Sequence, residues 1–395
     1  MRSVNVFLLS LAALIIPFVN AYADSQYPGK FVLDQSKDVF FEKYNPTTYS
    51  LQLLKDKNKF DANSLVVGGV GEIDLQHWQG DKVVLIPPPV SYRDGTGLYF
   101  TEFTVDTLAN LTSWSSIFFS GTDSHIGQGP PNGNYTYLSH LFVLFGNLEK
   151  SPFYFTLGTN TLPFGVFLGS GAWDLPLTAN YFNPTLAPQF SLAFYKNGLN
   201  LSTAAYSDEV NRENHFIYSF NYNKAVGNLN YSLGAGYLTN LKTNTTGNPT
   251  INRMRRSKAL IPVNMGNIWD FNASLGYKLI ALSAEYDVAS RKIGVNQGDP
   301  SAFAISFTFT PKIGGEDTTF GITRSQTFYL NNVPTNLSGL DAVPFTASGL
   351  KSNWAASVSR SIFTNYITLG FDAQRTVTYS DEKTYTYTLD LLVYI

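Results

Sequence analysis

Tyr385-Thr386-Tyr387-Thr388-Leu389-Asp390-Leu391-Leu392-Val393-Tyr394-Ile395 alternates along its whole length. Successive side chains of an extended chain point to opposite faces. Tyr385, Tyr387, Leu389, Leu391, Val393 and Ile395 therefore share one face, and Thr386, Thr388, Asp390, Leu392 and Tyr394 share the other. One side is greasy and the other mostly polar. A stretch of roughly ten residues is what a tilted strand needs to cross a bilayer core. Read this way, the segment is a barrel strand whose apolar face is covered by lipid.

Working outward from it, the same pattern recurs. Sixteen candidate strands lie near 65–75, 99–108, 113–120, 136–146, 152–160, 188–196, 199–207, 215–223, 228–238, 268–277, 279–288, 301–310, 317–328, 351–360, 363–375 and 384–395. In 228–238, Leu229, Tyr231, Leu233, Ala235 and Tyr237 oppose Asn230, Ser232, Gly234 and Gly236. Connections alternate between long (76–98, 121–135, 161–187, 239–267, 289–300, 329–350) and short, as at Lys196-Asn197-Gly198. Outer-membrane barrels have long outer loops and short periplasmic turns. The expected fold is all-β: a transmembrane antiparallel up-and-down β-barrel of about 16 strands, with 14 to 18 compatible with the pattern. A soluble sandwich or solenoid would favour shorter strands.

Composition agrees. Aromatic residues make up 15% of the chain (30 Phe, 24 Tyr, 5 Trp), and such rings favour membrane–water interfaces. Charged residues are only 14%, below the ~25% of soluble domains. The absence of cysteine excludes disulfides, thiolate metal sites and a Cys nucleophile. A net charge of −2 argues against nucleic-acid binding.

The expected organisation has three parts. Residues 1–23 read as a signal peptide: Arg2, an apolar run from Val4 to Val19, and Ala21-Tyr22-Ala23 as a small-x-small cleavage site. Residues 24–64, with Lys37, Lys43, Lys55, Lys57 and Lys59, read as a periplasmic N-terminal segment able to enter a barrel. Residues 65–395 form the barrel, placed in the bacterial outer membrane among lipid and lipopolysaccharide.

The polar strand faces place Glu72, Asp74, Glu102, Asp106, Glu285, Asp287, Asp372 and Asp390 on the lumen wall, with Lys351 a rare basic residue there by phase. An acidic lining favours cations; a solvated wall of carboxylates bonded to neighbouring hydroxyls is the plainer reading. Arg253, Arg255, Arg256 and Lys258 cluster in the long connection 239–267, where guanidinium groups could capture carboxylate or phosphate or simply keep the loop soluble. Trp173 and Asp174, in 161–187, are candidates for a loop folded inward.

No catalytic residue, cofactor or metal site is expected. Ser139 adjoins His140, but neighbours in a regular strand face opposite ways. His77 near Glu72 and Asp74 lacks a second histidine.

Pro152-Phe153-Tyr154-Phe155-Thr156-Leu157-Gly158 running into Leu162-Pro163-Phe164-Gly165-Val166-Phe167, followed by Asp174-Leu175-Pro176-Leu177-Thr178, carries a further signal. So do Tyr231, Gly234-Ala235-Gly236-Tyr237 and Asn240, and Ser283-Ala284-Glu285-Tyr286. These motifs resemble the outer-membrane siderophore porins related to the legiobactin receptor, over about residues 140–290 and loosely beyond. In that family a coiled-coil-like region often follows the signal, of which Leu51, Leu53 and Leu54 are a trace. The resemblance implies a sixteen-stranded barrel that takes up a ferric siderophore. The alternatives are a general diffusion porin and a surface or adhesin-like barrel. Homo-oligomers are compatible with any of the three.

Overall fold

The computed structural model describes residues 30–33, 45–81, 94–126, 135–167, 169, 176–184, 186–207, 214–242, 264–293, 298–331, 333, 335–336, 345–346, 348–362 and 366–394. In chain order its strands are β1 (Lys30–Leu33), β2 (Ser64–Gly80), β3 (Gly95–Asn110), β4 (Ser115–Ile126), β5 (Tyr135–Gly146), β6 (Phe153–Thr161) and β7 (Leu186–Lys196). There follow β8 (Leu199–Ser207), β9 (Asn214–Val226), β10 (Leu229–Lys242), β11 (Asn264–Tyr277), β12 (Ile280–Ala289), β13 (Ser301–Phe309) and β14 (Lys312–Ile313). The last are β15 (Glu316–Phe328), β16 (Thr335–Asn336), β17 (Phe345–Thr346), β18 (Leu350–Ser361), β19 (Ile367–Thr378) and β20 (Lys383–Tyr394).

β2 to β13, β15 and β18 to β20 pair in succession as antiparallel neighbours, and β20 returns to β2. The result is a closed barrel of sixteen strands, with Asp74 opposite Asp390 at the seam. β1 runs parallel to the start of β2, Lys30 opposite Ser64. Closure pairs each of the sixteen wall strands on both sides, the condition for strands in lipid, where water cannot satisfy backbone groups.

The barrel is inside-out relative to a soluble protein. Phe371 and Leu389 are each 42% exposed, whereas Asp390 is 0% exposed. Rings line the outer face in rows. One runs Trp114–Phe145–Phe155–Phe190 with centroids 5.6, 5.0 and 6.1 Å apart. Another brings Tyr237 to 4.5 Å from Trp269. Short hairpins fix the register. At Asn197-Gly198 both φ values are positive, 53° and 87°, the requirement of a two-residue turn that follows the strand twist.

All sixteen expected strands are present, and several are longer than the alternation suggests: β2 runs on to Gly80 and β3 begins at Gly95. The register shifts in β3 at Thr101 and at the end of the β10–β11 pair, and two further bulges change the phase of residues singled out above. One lies in β5 between the pairs Ser120–His140 and Gly121–Leu138. The other lies in β18 between Leu350 and Ser352. The second corrects the placement of Lys351. An extra residue reverses the alternation, so Lys351 is exposed and pairs with Asp381 at 2.9 Å rather than facing the lumen.

Candidate functional site: an acidic lumen narrowed by two insertions

The lumen holds two apolar cores, each built around an inserted segment. The first surrounds helix α1 (Tyr49–Asp56). A 3-10 turn precedes it at Pro46–Thr48, capped by the Asn45 side chain, which accepts from the Thr47 N–H at 2.9 Å. Leu51, Leu53 and Leu54 pack against Leu108, Phe118, Phe142, Leu144 and Tyr154 of the inner wall. Full burial of such side chains contributes roughly 1.5–3 kcal/mol each. Polar contacts fix the seat. The Asn200 side-chain amide donates to the Thr47 carbonyl at 3.1 Å, and that of Asn160 to the Ser50 hydroxyl at 2.9 Å. Asn110 donates to the Lys57, Phe60 and Asp61 carbonyls. Tyr49 stacks on His140 at 5.2 Å. Lys57 is 1% exposed, and its ammonium donates to the Ser113 carbonyl at 3.3 Å. Burial pushes its pKa down to about 8.

The second insertion is the connection from β6 to β7. It buries Leu162, Phe164, Phe167, Leu177, Tyr181 and Phe182 in a core with Ile217, Leu238, Ile268, Ala302 and Leu350. Its short helix α2 (Leu177–Phe182) reaches β12, β13, β15 and β18, on the other side of the barrel from β6. The Pro163-Phe164-Gly165 element makes the bend: Gly165 has φ +71°, a conformation costly for residues with a Cβ. Three donors tie the loop to Glu285. The Val166 and Phe167 N–H groups donate to Oε1 at 2.5 and 3.1 Å, and the Thr178 hydroxyl donates to Oε2 at 2.8 Å. The Leu177 N–H donates to Ser325 Oγ at 3.2 Å, and the Leu350 N–H to the Tyr181 hydroxyl at 2.6 Å.

Between the insertions lies a cavity of about 230 Å³, lined by Asn45, Thr48, Val166, Asn223, Ser232, Asn272, Ala273, Ser274, Ser283, Ala284, Glu285, Ala304 and Ser306. Apart from Val166 and the three alanines these are hydrogen-bonding side chains, so polar groups and small apolar ones share the wall.

The acidic residues fall into two groups. Glu72, Asp74, Glu102, Asp106, Asp372 and Asp390 occupy four adjacent strands: β2, β3, β19 and β20. Asp74 and Asp390 are 0% exposed, and Asp74 accepts from the Thr101 hydroxyl. Glu72 lies across from Glu102, which accepts from Thr104 at 2.5 Å, and Asp106 contacts Ser120. The second group is Glu285 and Asp287 on β12, joined by Asp270 on β11, the register partner of Asp287. Asp270 is a site residue the sequence reading missed. Trp269 and Phe271 on either side put it on the inner face by the rule used elsewhere.

Ser139 and His140 are both turned away from lipid by the bulge, contrary to the expectation of opposite faces. They have different partners: Ser139 with Ser120 at 2.8 Å, and His140 with Thr161 at 3.0 Å. His77 is exposed beside Tyr387 and bonds Thr96 at 2.9 Å. Trp173, Asp174, Arg253, Arg255, Arg256 and Lys258 lie outside the described residues, as does the cleavage site at Ala23.

A closed sixteen-stranded barrel with a lipid-type exterior, a polar lumen and a loop folded into it has the architecture of the outer-membrane porins. The chain matches the family described as "Protein of unknown function (DUF3573)" over residues 42–268, and it belongs to that family. No curated protein matches it. Among solved structures it is similar to an anion-selective porin from Comamonas acidovorans: 11% identity, 84% of this chain and 99% of that chain, TM-score 0.51. It is also similar to OprB of Pseudomonas putida at high pH: 10% identity, 83% of this chain and 93% of that chain, TM-score 0.51. At such identities the likeness is one of fold.

Proposed function

We propose that the protein is a constricted outer-membrane porin that admits small cationic or neutral polar solutes, without catalysis. The observation that carries this reading is the polar cavity of about 230 Å³ left between α1 and the inward loop of a closed barrel. Glu285 is the acid that lines this cavity, and an acidic lining favours cations. Capture at the long loops followed by passage along this polar strip is the mechanism the geometry supports.

A ferric siderophore is one candidate cargo, supported by the resemblance of the Pro152–Phe167 block to siderophore porins. The acidic wall narrows that reading to a neutral or cationic chelate. A general diffusion porin is supported equally by the fold. Association into homo-oligomers and interaction with lipopolysaccharide belong to both.

Reconstitution into a planar bilayer under a salt gradient tests the proposal. The expected result is a small single-channel conductance with a reversal potential of cation-selective sign. No current, or an anion-selective sign, overturns it. Iron-limited growth of a deletion strain, with and without added siderophore, separates the cargoes: slower growth restored only by inorganic iron favours siderophore uptake.

A further inference from the structure

We propose that Asp270, Glu285 and Asp287 form a calcium-type divalent cation site that locks the inward loop to the barrel wall. One carboxylate oxygen of each lies within 4.8 Å of the others. Asp270 and Asp287 are 0% exposed. Neither oxygen of Asp287 has a hydrogen-bond partner, nor does Oδ2 of Asp270. Among the described residues no Lys or Arg forms an ion pair with any of the three. An unpartnered buried carboxylate is costly, and such groups are normally paired or coordinate a metal.

The donor set defines the ion. It is all carboxylate, which selects hard cations over metals that prefer imidazole or thiolate. Calcium takes oxygens at about 2.3–2.6 Å, so oxygens on opposite sides of one ion stand up to about 5 Å apart. Magnesium's tighter octahedron brings opposite oxygens to about 4.2 Å. Separations within 4.8 Å fit a calcium shell, and calcium accepts an irregular set of oxygens in a buried site, where magnesium demands a near-ideal octahedron and gives up its water reluctantly. Access is through the cavity that Glu285 and Asn272 line, from which water can complete the shell. Glu285 is the link to function, because the same carboxylate accepts from Val166, Phe167 and Thr178 of the loop. A cation held there fixes the carboxylate on which the loop rests. The site does not depend on what the pore carries.

The test uses the full barrel, folded in detergent, stripped with a chelator and titrated with calcium chloride by calorimetry. Unfolding is followed in parallel by heat-modifiable gel migration. Wild type is expected to bind calcium more tightly than magnesium, and to resist heat better with calcium than with chelator. Asp287→Asn is expected to lose this calcium equivalent, with affinity weakened on the order of tenfold or more, and to melt alike in calcium and chelator. Asp106→Asn, on β3 and bonded to Ser120 away from the three acids, is expected to keep both responses. Should Asp287→Asn fail to fold, Asp270→Asn carries the same readouts. No calcium uptake by wild type, or uptake unchanged in the Asp287 and Asp270 variants, overturns the proposal: the acids then share protons instead of a metal.

Discussion

Leu391 lies across from Ile73 on β2 and Leu369 on β19, while its neighbour Asp390 is buried at 0% exposure on the other face. A charge on the lipid face near the bilayer midplane costs roughly 2–4 kcal/mol. Leu391→Lys is therefore expected to reduce the heat-modifiable folded fraction sharply, and Asp390→Asn to leave it intact; equal losses would reverse the assignment of faces. Lys57 gives a pH prediction. Its folded-state value of about 8 is below the ordinary 10.5, so between these pH values the unfolded chain holds the extra proton and stability rises with pH. Below about 8 the burial penalty is fully present. Lys57→Met should melt higher than wild type at pH 7, and should lack the rise between pH 8 and 10.5. A wild-type rise that survives the substitution would assign it to another group. At this scale the sequence was readable wherever simple alternation held, as at Asp390 and Leu391. It misled at Ser139 and Lys351, where one extra residue shifts the count and nothing in the composition marks the bulge.

The strands and the insertions obey different rules. Strand existence was legible because lipid outside and polar groups inside impose a period of two. Strand ends were not: Gln76 to Gly80 continue β2 with Trp78 as the one apolar side chain, too little alternation to announce a strand. The insertions were legible only in outline. Leu51, Leu53 and Leu54 read as a trace of helix, yet what buries them is a wall assembled from β3 to β6, far along the chain. Phe164 is 0% exposed and lies about 3 Å from the position a Cβ on Gly236 would take. Truncating a buried phenylalanine costs about 3–5 kcal/mol, and here the loss falls on a loop rather than on the barrel. Phe164→Ala is expected to keep the folded migration while raising single-channel conductance. Conductance equal to wild type would mean the loop does not limit the pore. Leu53→Asp with Leu54→Asp makes the same test of α1.

For the whole molecule, the closed sixteen-stranded ring was readable from the count and from the alternation of long and short connections. The distribution of charge around it was not. Only the register shows that Glu72, Asp74, Glu102, Asp106, Asp372 and Asp390 crowd the four strands about the seam, because strand neighbours are set by closure and not by chain distance. That closure has a consequence for assembly. Helix α1 is continuous with β2, the opening strand, and lies inside a ring that β20 completes. It cannot enter sideways once β2 and β20 have zipped from Val70–Tyr394 to Gly80–Thr384. The helix therefore enters along the barrel axis through an open end, or it is already on the concave side while the sheet is curling. In the second order the N-terminal segment is an internal template and the barrel enters the membrane partly filled; in the first it is a stopper seated last.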